Sequence, residues 1–405
     1  MKVEIVTHPA GDQLPLLLDG DGLPVPAPNE FIIGRRSLSP NTLIRNLREL
    51  AVFYRWLDRE GIDLCARVCS EKTFTEAEIR GGLVEALRRD QDDRTKVKQI
   101  AVAPHTFNQR LTTIRQYLAW CFDVELGAMP MADTRFDHVR EHKNRVIKWL
   151  DDAFINASPT NKISRKGLSD KEVAFLIAKL DPESPDAFGR DPAVRFRNYV
   201  ATMIMLYYGL RPGELLSLRV EDVEIGAISS IQVLRRSPDP LDLRKPRPQI
   251  KRNGRILPID DPVFARRIDQ YIMTWREELE HKSQKESNYL ILSDEGKALS
   301  QSSITQFYQI LRNKFPCELP SHLTAKALRH TFSSQMEREL RRAGIDEDRR
   351  REALAILRGD SSLASQSIYI AQEIEEQANL ALKKYQKNLM SEDVNDGEIR
   401  AEGLS

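Results

Sequence analysis

The sequence predicts a mainly α-helical chain with a small antiparallel β-sheet, divided into an all-helical first domain and an α+β second domain. Three observations predict it. Apolar residues recur at three-to-four spacing, as at Leu43, Leu47, Leu50, Phe53, Tyr54 and Leu57, which is the period of one buried helix face. Asn253-Gly254 stands between two short β-prone runs, the strongest two-residue hairpin signal a sequence can carry. The 405 residues exceed what a single core usually organises, and Ser158 to Lys166 has the composition of a linker.

Taken in order, residues 1–35 are rich in Pro, Gly and Asp and read as an N-terminal arm of short extended pieces. Ser39-Pro40 opens a helix, with a hydroxyl cap and a proline where the missing N–H costs nothing, and Gly61 ends it. A second amphipathic helix begins near Pro104 and runs through Phe107, Leu111, Ile114, Leu118 and Phe122. Arg45 and Arg48 lie off the first stripe, Arg110 and Arg115 off the second. These helices predict a helical domain over 36–157, followed by a linker over 158–168. Ser169 and Glu172 form a capping-box pattern that starts the second domain, 169–390. A long apolar helix ends near Gly209. Strand-like runs follow at Ile228–Leu234, Gln249–Lys251 and Arg255–Ile259, the last two flanking Asn253-Gly254. The rest reads as helix up to an acidic tail, 391–405.

Composition narrows the function classes. No apolar run is long enough for a membrane span, and the start has no secretion signal, so a soluble, cytoplasmic protein with no membrane partner is expected. Cys65, Cys69, Cys121 and Cys317 are too few and too scattered for a disulfide scaffold and complete no zinc set, so they read as small buried side chains, and no metal site is expected. The net charge is only +1, but it is segregated. Residues 1–34 hold one Lys against five acids and residues 386–405 two basic residues against five acids, so the stretch between them carries +8. Eight Lys/Arg lie between Arg235 and Arg255, which reads either as solvated surface or as phosphate contact.

Arg211 at the end of an apolar helix, the pair Arg329-His330 and then Tyr369 follow one another along the chain. That order suggests a tyrosine nucleophile served by fixed cations, a set that suits a phosphodiester, whose oxygens carry charge throughout the reaction.

Three segments carry a resemblance to a known family. YYGLRPGELLSLRVEDV (207–223), TAKALRHTFSSQ (324–335) and LRGDSSLASQSIY (357–369) resemble, in order, the motif boxes of the tyrosine recombinases, also called the phage integrase family. Residues 38–57 and 104–120 are similar to helices of that family's core-binding domain. The resemblance implies a core-binding DNA-binding domain followed by a tyrosine-recombinase catalytic domain, two lobes that clamp double-stranded DNA. It implies that Arg211 and Arg329 bind the scissile phosphate, that Lys251 protonates the leaving 5′ oxygen, with Lys245 and Arg252 as neighbouring competitors, and that Tyr369 forms a 3′-phosphotyrosine without metal or ATP. Lys326 stands where histidine is usual. Asp360 stands where the family has histidine or tryptophan, and an ionised carboxylate there would repel phosphate unless protonated or paired with Arg358 or Lys326. Arg45, Arg48, Arg110, Arg115 and Arg252 are the expected DNA contacts. Four protomers, alone or with related recombinases, would form the synaptic complex, and no cofactor is expected. The resulting reading is a site-specific recombinase; the alternatives are a weakened accessory DNA-binding protein of the same fold and a resolvase- or topoisomerase-like enzyme.

Overall fold

A computed structural model describes the chain except for residues 10, 70–71, 90–100, 131–132, 157–166, 251–253, 284, 361–377 and 390–405. The chain forms two compact units, Met1–Asn161 and Lys162–Ser405.

The first unit opens with a hairpin of β1 (Lys2–Thr7) and β2 (Gln13–Leu18), antiparallel with Lys2 opposite Leu18 and Thr7 opposite Gln13. A short helix α1 (Pro26–Ile33) follows. This segment, expected to be an arm, is a part of the unit: Leu17, Phe31 and Ile32 are buried in its core. Asn29 fastens the hairpin to α1, accepting from the Leu17 N–H at 2.7 Å and donating to the Leu17 carbonyl at 3.0 Å. Leu14, Leu16 and Leu18 on one face and Pro15 and Leu17 on the other give β2 no polar alternation, and the surrounding turn residues pointed to an arm.

α2 (Pro40–Glu60) begins where its sequence says it should, with the Ser39 Oγ accepting from the Thr42 N–H, and ends at Gly61 in the left-handed region (φ 63°). α3 (Leu64–Cys69), a π-helical turn over Ala77–Leu83 running into α4 (Val84–Arg88), α5 (Pro104–Ala128) and α6 (Phe136–Asp151) complete the unit. The apolar stripes of α2 and α5 meet in the core, where Phe53, Trp56, Phe107, Tyr117 and Phe122 are all but inaccessible. Burying a side chain of that size contributes roughly 1.5–3 kcal/mol. Between α2 and α5 lies a buried polar set: Asn46 donates to Thr113 at 2.7 Å, and Thr113 donates to the Glu49 carboxylate. Burial raises the Glu49 pKa above the usual carboxylate range.

In the second unit both bonds of the expected capping box are present, and α7 (Asp170–Leu180) follows. α8 (Pro192–Tyr208) is buried almost all round and ends at Gly209 (φ 59°). A Cβ at Gly209 would enter the ring of Phe332, so two constraints require glycine there. After α9 (Pro212–Leu215) come β3 (Val223–Glu224), β4 (Ser230–Val233) and β5 (Arg255–Pro258) in one antiparallel sheet of order β3-β4-β5. The expected pairing of 249–251 with 255–259 needs correction. β5 pairs with β4, Val233 opposite Arg255 and Ser230 opposite Pro258, and Gln249 and Ile250 lie outside any strand. The Lys251–Asn253 part of the expected hairpin lies outside the described residues. Ile231, Val233 and Leu257 point into the core, which fixes this register, because a slip of one residue would expose all three.

Helices α10 (Pro262–Gln270), α11 (Glu277–Glu280), α12 (Gln301–Lys314), α13 (Ala325–Arg342) and α14 (Glu347–Arg358) follow, with a π-helical turn over Tyr271–Arg276 joining α10 to α11. A last helix over residues 378–389 buries Ala378, Ala381, Leu382 and Tyr385 against its own unit. The Tyr385 hydroxyl donates to the Leu206 carbonyl at 2.9 Å and lies 3.0 Å from the Gln335 side-chain oxygen. The acidic tail lies outside the described residues. Among the described residues, no helix is long and apolar enough to cross a membrane.

The cysteine reading also needs correction. Cys65 and Cys317 are exposed and the other two are half-buried, although Cys65 and Cys69 do share a face, their sulfurs 3.5 Å apart.

Candidate active site

Four arginines from distant parts of the second unit converge on two carboxylates. Arg211 precedes α9, Arg255 opens β5, Arg329 lies in the first turns of α13 and Arg358 ends α14. Glu214, with only 1% of its side chain exposed, forms the floor. It accepts from the Arg211 backbone N–H at 2.8 Å and from the Arg211 guanidinium at 3.0 Å. Arg255 reaches both Glu214 oxygens, at 3.2 and 3.4 Å, and Arg329 approaches to 4.0 Å. A buried carboxylate bound by this many donors orients each guanidinium plane, as bidentate geometry requires.

The second carboxylate is Asp360. One of its oxygens accepts from both Arg211 and Arg329, the latter at 2.9 Å, and the other pairs with Arg358 at 2.9 Å. Of the two partners the sequence raised for Asp360, Arg358 is present and Lys326 is not. The backbone beneath is held by a helix C-terminal motif. Gly359 takes the left-handed conformation (φ 61°), its N–H donates to the Ile356 carbonyl at 3.0 Å, and the Asp360 N–H donates to the Ala355 carbonyl at 2.8 Å. The Arg358 carbonyl freed at this helix end accepts from Arg329 at 3.1 and 3.2 Å and from Arg211 at 3.4 Å. A cation at a helix C-terminus is favoured by the helix dipole.

The cluster holds four guanidiniums against two carboxylates, an excess of two positive charges. The strain shows at Arg329, whose pKa is pushed down to about 10, first by burial and then by the neighbouring Arg211 and Arg358. An anion-binding seat is the chemical sense of such a group.

Of the residues singled out in the sequence, Arg211, Arg329 and Asp360 come together here. Lys326 is exposed in the first turn of α13, and His330 is half-buried on the same helix. Lys251, Arg252 and Tyr369 lie outside the described residues. Arg255 joins the site although sequence reasoning assigned it no role there; its signal was a basic residue opening a strand just past Asn253-Gly254. The basic stretch that contains it is neither mainly solvated surface nor mainly free for phosphate. Arg236 pairs with Asp222 and Glu221, the half-buried Arg244 pairs with Asp242 at 2.9 Å, and the buried Arg247 donates to the Asp242 carbonyl at 2.7 Å. Asp222 and Asp242 absorb these charges because burial leaves each of them in need of a partner. Arg235 and Lys245 remain exposed.

In the first unit Arg45 and Arg48 are exposed on α2, and Arg45 lies 3.6 Å from Glu49. Arg110 donates to the carbonyls of Leu87 and Arg89 at 2.9 and 2.8 Å, and Arg115 pairs with Asp151. These two serve to tie α5 to its neighbours.

Residues 182–371 match the phage integrase family. Transposase A from transposon Tn554 of Staphylococcus aureus (strain Mu50) is 27% identical over 348 residues, covering 84% of this chain and 86% of the relative. Among solved structures, the chain is similar to the XerH site-specific recombinase bound to difH substrate in a pre-cleavage complex (13% identity, TM-score 0.49, 85% of this chain and 80% of that one). It is also similar to the Tn1549 transposon integrase in complex with transposon right end DNA (16% identity, TM-score 0.49, 86% of this chain and 96% of that one). With the arginine pair of the first two motif boxes gathered at one seat and the match spanning all three boxes, residues 182–371 carry the phage integrase family domain of a tyrosine recombinase, an enzyme that cuts and rejoins DNA.

Proposed function

We propose that this recombinase acts through Tyr369 on a scissile phosphate held by Arg211 and Arg329. The observation that carries the reading is the convergence of these two arginines, oriented by one buried carboxylate, on a shared anion position. Their forks would bind the non-bridging oxygens and stabilise the charge that builds there during the displacement. The Tyr369 oxygen, as the phenolate, forms the bond to phosphorus as the bond to the 5′ oxygen breaks. Lys251 supplies the proton to that leaving oxygen, and Lys326 adds a cationic donor to the phosphate. Bond energy is retained in the phosphotyrosine, so the 5′ hydroxyl of another strand can reverse the step.

The first unit, through Arg45 and Arg48 on α2 and Arg110 and Arg115 on α5, grips double-stranded DNA, and Arg252 adds a contact from the second. The functional divisions are a core-binding domain over 36–157, a linker over 158–168 and a catalytic domain over 169–390. Four copies assemble on two DNA sites, and the transposase relative supports a mobile element as the substrate.

The test uses the full chain and a nicked duplex carrying the ends of its own element, resolved on a denaturing gel. A protein–DNA adduct at a 3′ end is expected from wild type in the presence of chelator and is lost in Tyr369→Phe, with DNA affinity retained. An adduct that persists in Tyr369→Phe removes Tyr369 from the nucleophile's role.

A further inference from the structure

We propose that Asp360 is a carboxylate stand-in for the DNA phosphate: in the DNA-free protein it fills the seat formed by Arg211, Arg329 and Arg358, and the scissile phosphate must displace it. This rests on the reading of Arg211 and Arg329 as the phosphate-binding pair. Three observations carry it.

The first is coordination. One Asp360 oxygen takes donors from both Arg211 and Arg329, and the other takes Arg358 at 2.9 Å. A carboxylate presents two charged acceptor oxygens to a guanidinium fork much as two non-bridging phosphate oxygens do. Phosphate and Asp360 therefore compete for the same N–H groups, and their like charges prevent both from occupying the seat.

The second is the anchoring. The Asp360 backbone is fixed by its own N–H on the Ala355 carbonyl and by Gly359 in the left-handed region. A Cβ at Gly359 would press into the Arg255 guanidinium, so this helix end is held from two sides. The carboxylate can then leave Arg211 and Arg329 by turning about its side-chain bonds, keeping Arg358, while the backbone stays in place.

The third is the charge of the surroundings. Among the described residues, the cluster carries an excess of two positive charges with Asp360 present; without it the excess is three, around a floor that Glu214 alone neutralises. Asp360 thus stabilises the empty site and weakens its hold on any anion that arrives without the rest of the DNA. A phosphate delivered by a bound duplex, whose other contacts add to its affinity, can outcompete it. Isolated phosphate groups and non-specific backbone contacts are at a disadvantage.

The experiment titrates inorganic phosphate, at constant ionic strength, into the full-length wild type, Asp360→Asn and Asp360→Ser, read by calorimetry and by melting temperature. Both variants are expected to bind phosphate at least about tenfold more tightly than wild type, and adding Arg329→Met to Asp360→Asn should abolish the gain. Phosphate affinity equal to or below that of wild type in both variants overturns the proposal. A variant that fails to fold alone but folds when phosphate is added supports it, and one that phosphate does not restore counts against it. DNA capture by wild type is scored separately. Capture without a phosphate gain in the variants sinks only the stand-in role. A phosphate gain without any capture leaves the stand-in role standing and sinks the proposed reaction.

Discussion

Replacing Glu214 by Gln removes one negative charge and changes one acceptor oxygen into a donor at the floor of the arginine cluster. Arg211 and Arg255 both hydrogen-bond this side chain, which is 1% exposed, and Arg329 lies 4.0 Å away. Removing one partner from a buried ion pair costs about 3–5 kcal/mol, because the charge left behind is desolvated and uncompensated. Gln keeps one acceptor, which places the expected loss near the lower end, about 3 kcal/mol. For a unit of this size, that corresponds to a fall in Tm of roughly 6–12 °C. Two units make a single melt unsafe as a two-state measurement. Urea unfolding is therefore followed by fluorine NMR of the 5-fluorotryptophan-labelled protein. Trp275 reports on the second unit, while Trp56, Trp120 and Trp149 report on the first. Only the Trp275 resonance should shift its midpoint. Arg255→Met should cost less in the Glu214→Gln background than in wild type, with a coupling of about 1 kcal/mol or more. A loss below about 1 kcal/mol, or midpoints that shift equally in both units, would refute the claim that Glu214 holds the arginines in place.

Two further predictions concern the first unit. His142 is buried, accepts from the Phe74 N–H at 3.2 Å, and has its pKa pushed from 6.5 to about 4 by burial first and then by Arg145, His138 and Arg67. The unfolded chain takes the proton first, so the stability contribution is complete above pH 6.5 and is lost as pH falls from there towards 4. Near pH 5 the first unit should lose about 2 kcal/mol relative to pH 7.5, measured by urea unfolding, and His142→Gln should flatten that slope. Asn29→Leu, which strips both bonds to Leu17, should destabilise the first unit by about 2 kcal/mol and raise amide exchange across β1 and β2, leaving exchange in α13 unchanged.

The parts legible in the sequence were those whose causes are local. Ser39-Pro40 and Gly61 bounded α2, Ser169 with Glu172 opened α7, and Gly209 ended α8, because caps and left-handed glycines act within a few residues. Arg211 and Arg329 were visible through their motif boxes. What escaped was set by distance along the chain. β5 pairs with β4 across a long intervening stretch, and a turn signal in that stretch speaks only for its own neighbours. Arg236 looked like surface charge because Asp222 had to be brought alongside by folding, and Arg244, only two residues from Asp242, because its burial depends on the distant carbonyls of Leu216 and Leu299. Asp360 looked like a defect because, beside its near neighbour Arg358, two of its arginines, Arg211 and Arg329, reach it only through folding.

That wide spacing has a consequence for the life of the protein in the cell. The Arg358 carbonyl and the Asp360 carboxylate meet arginines made early and late in synthesis. A chain still on the ribosome therefore has no anion seat until α14 has emerged and docked, however well its earlier helices have folded. A fragment cut short by a premature stop or a protease anywhere before Arg358 lacks it for good. An enzyme that cuts and rejoins DNA thus makes its own completion a condition of its danger.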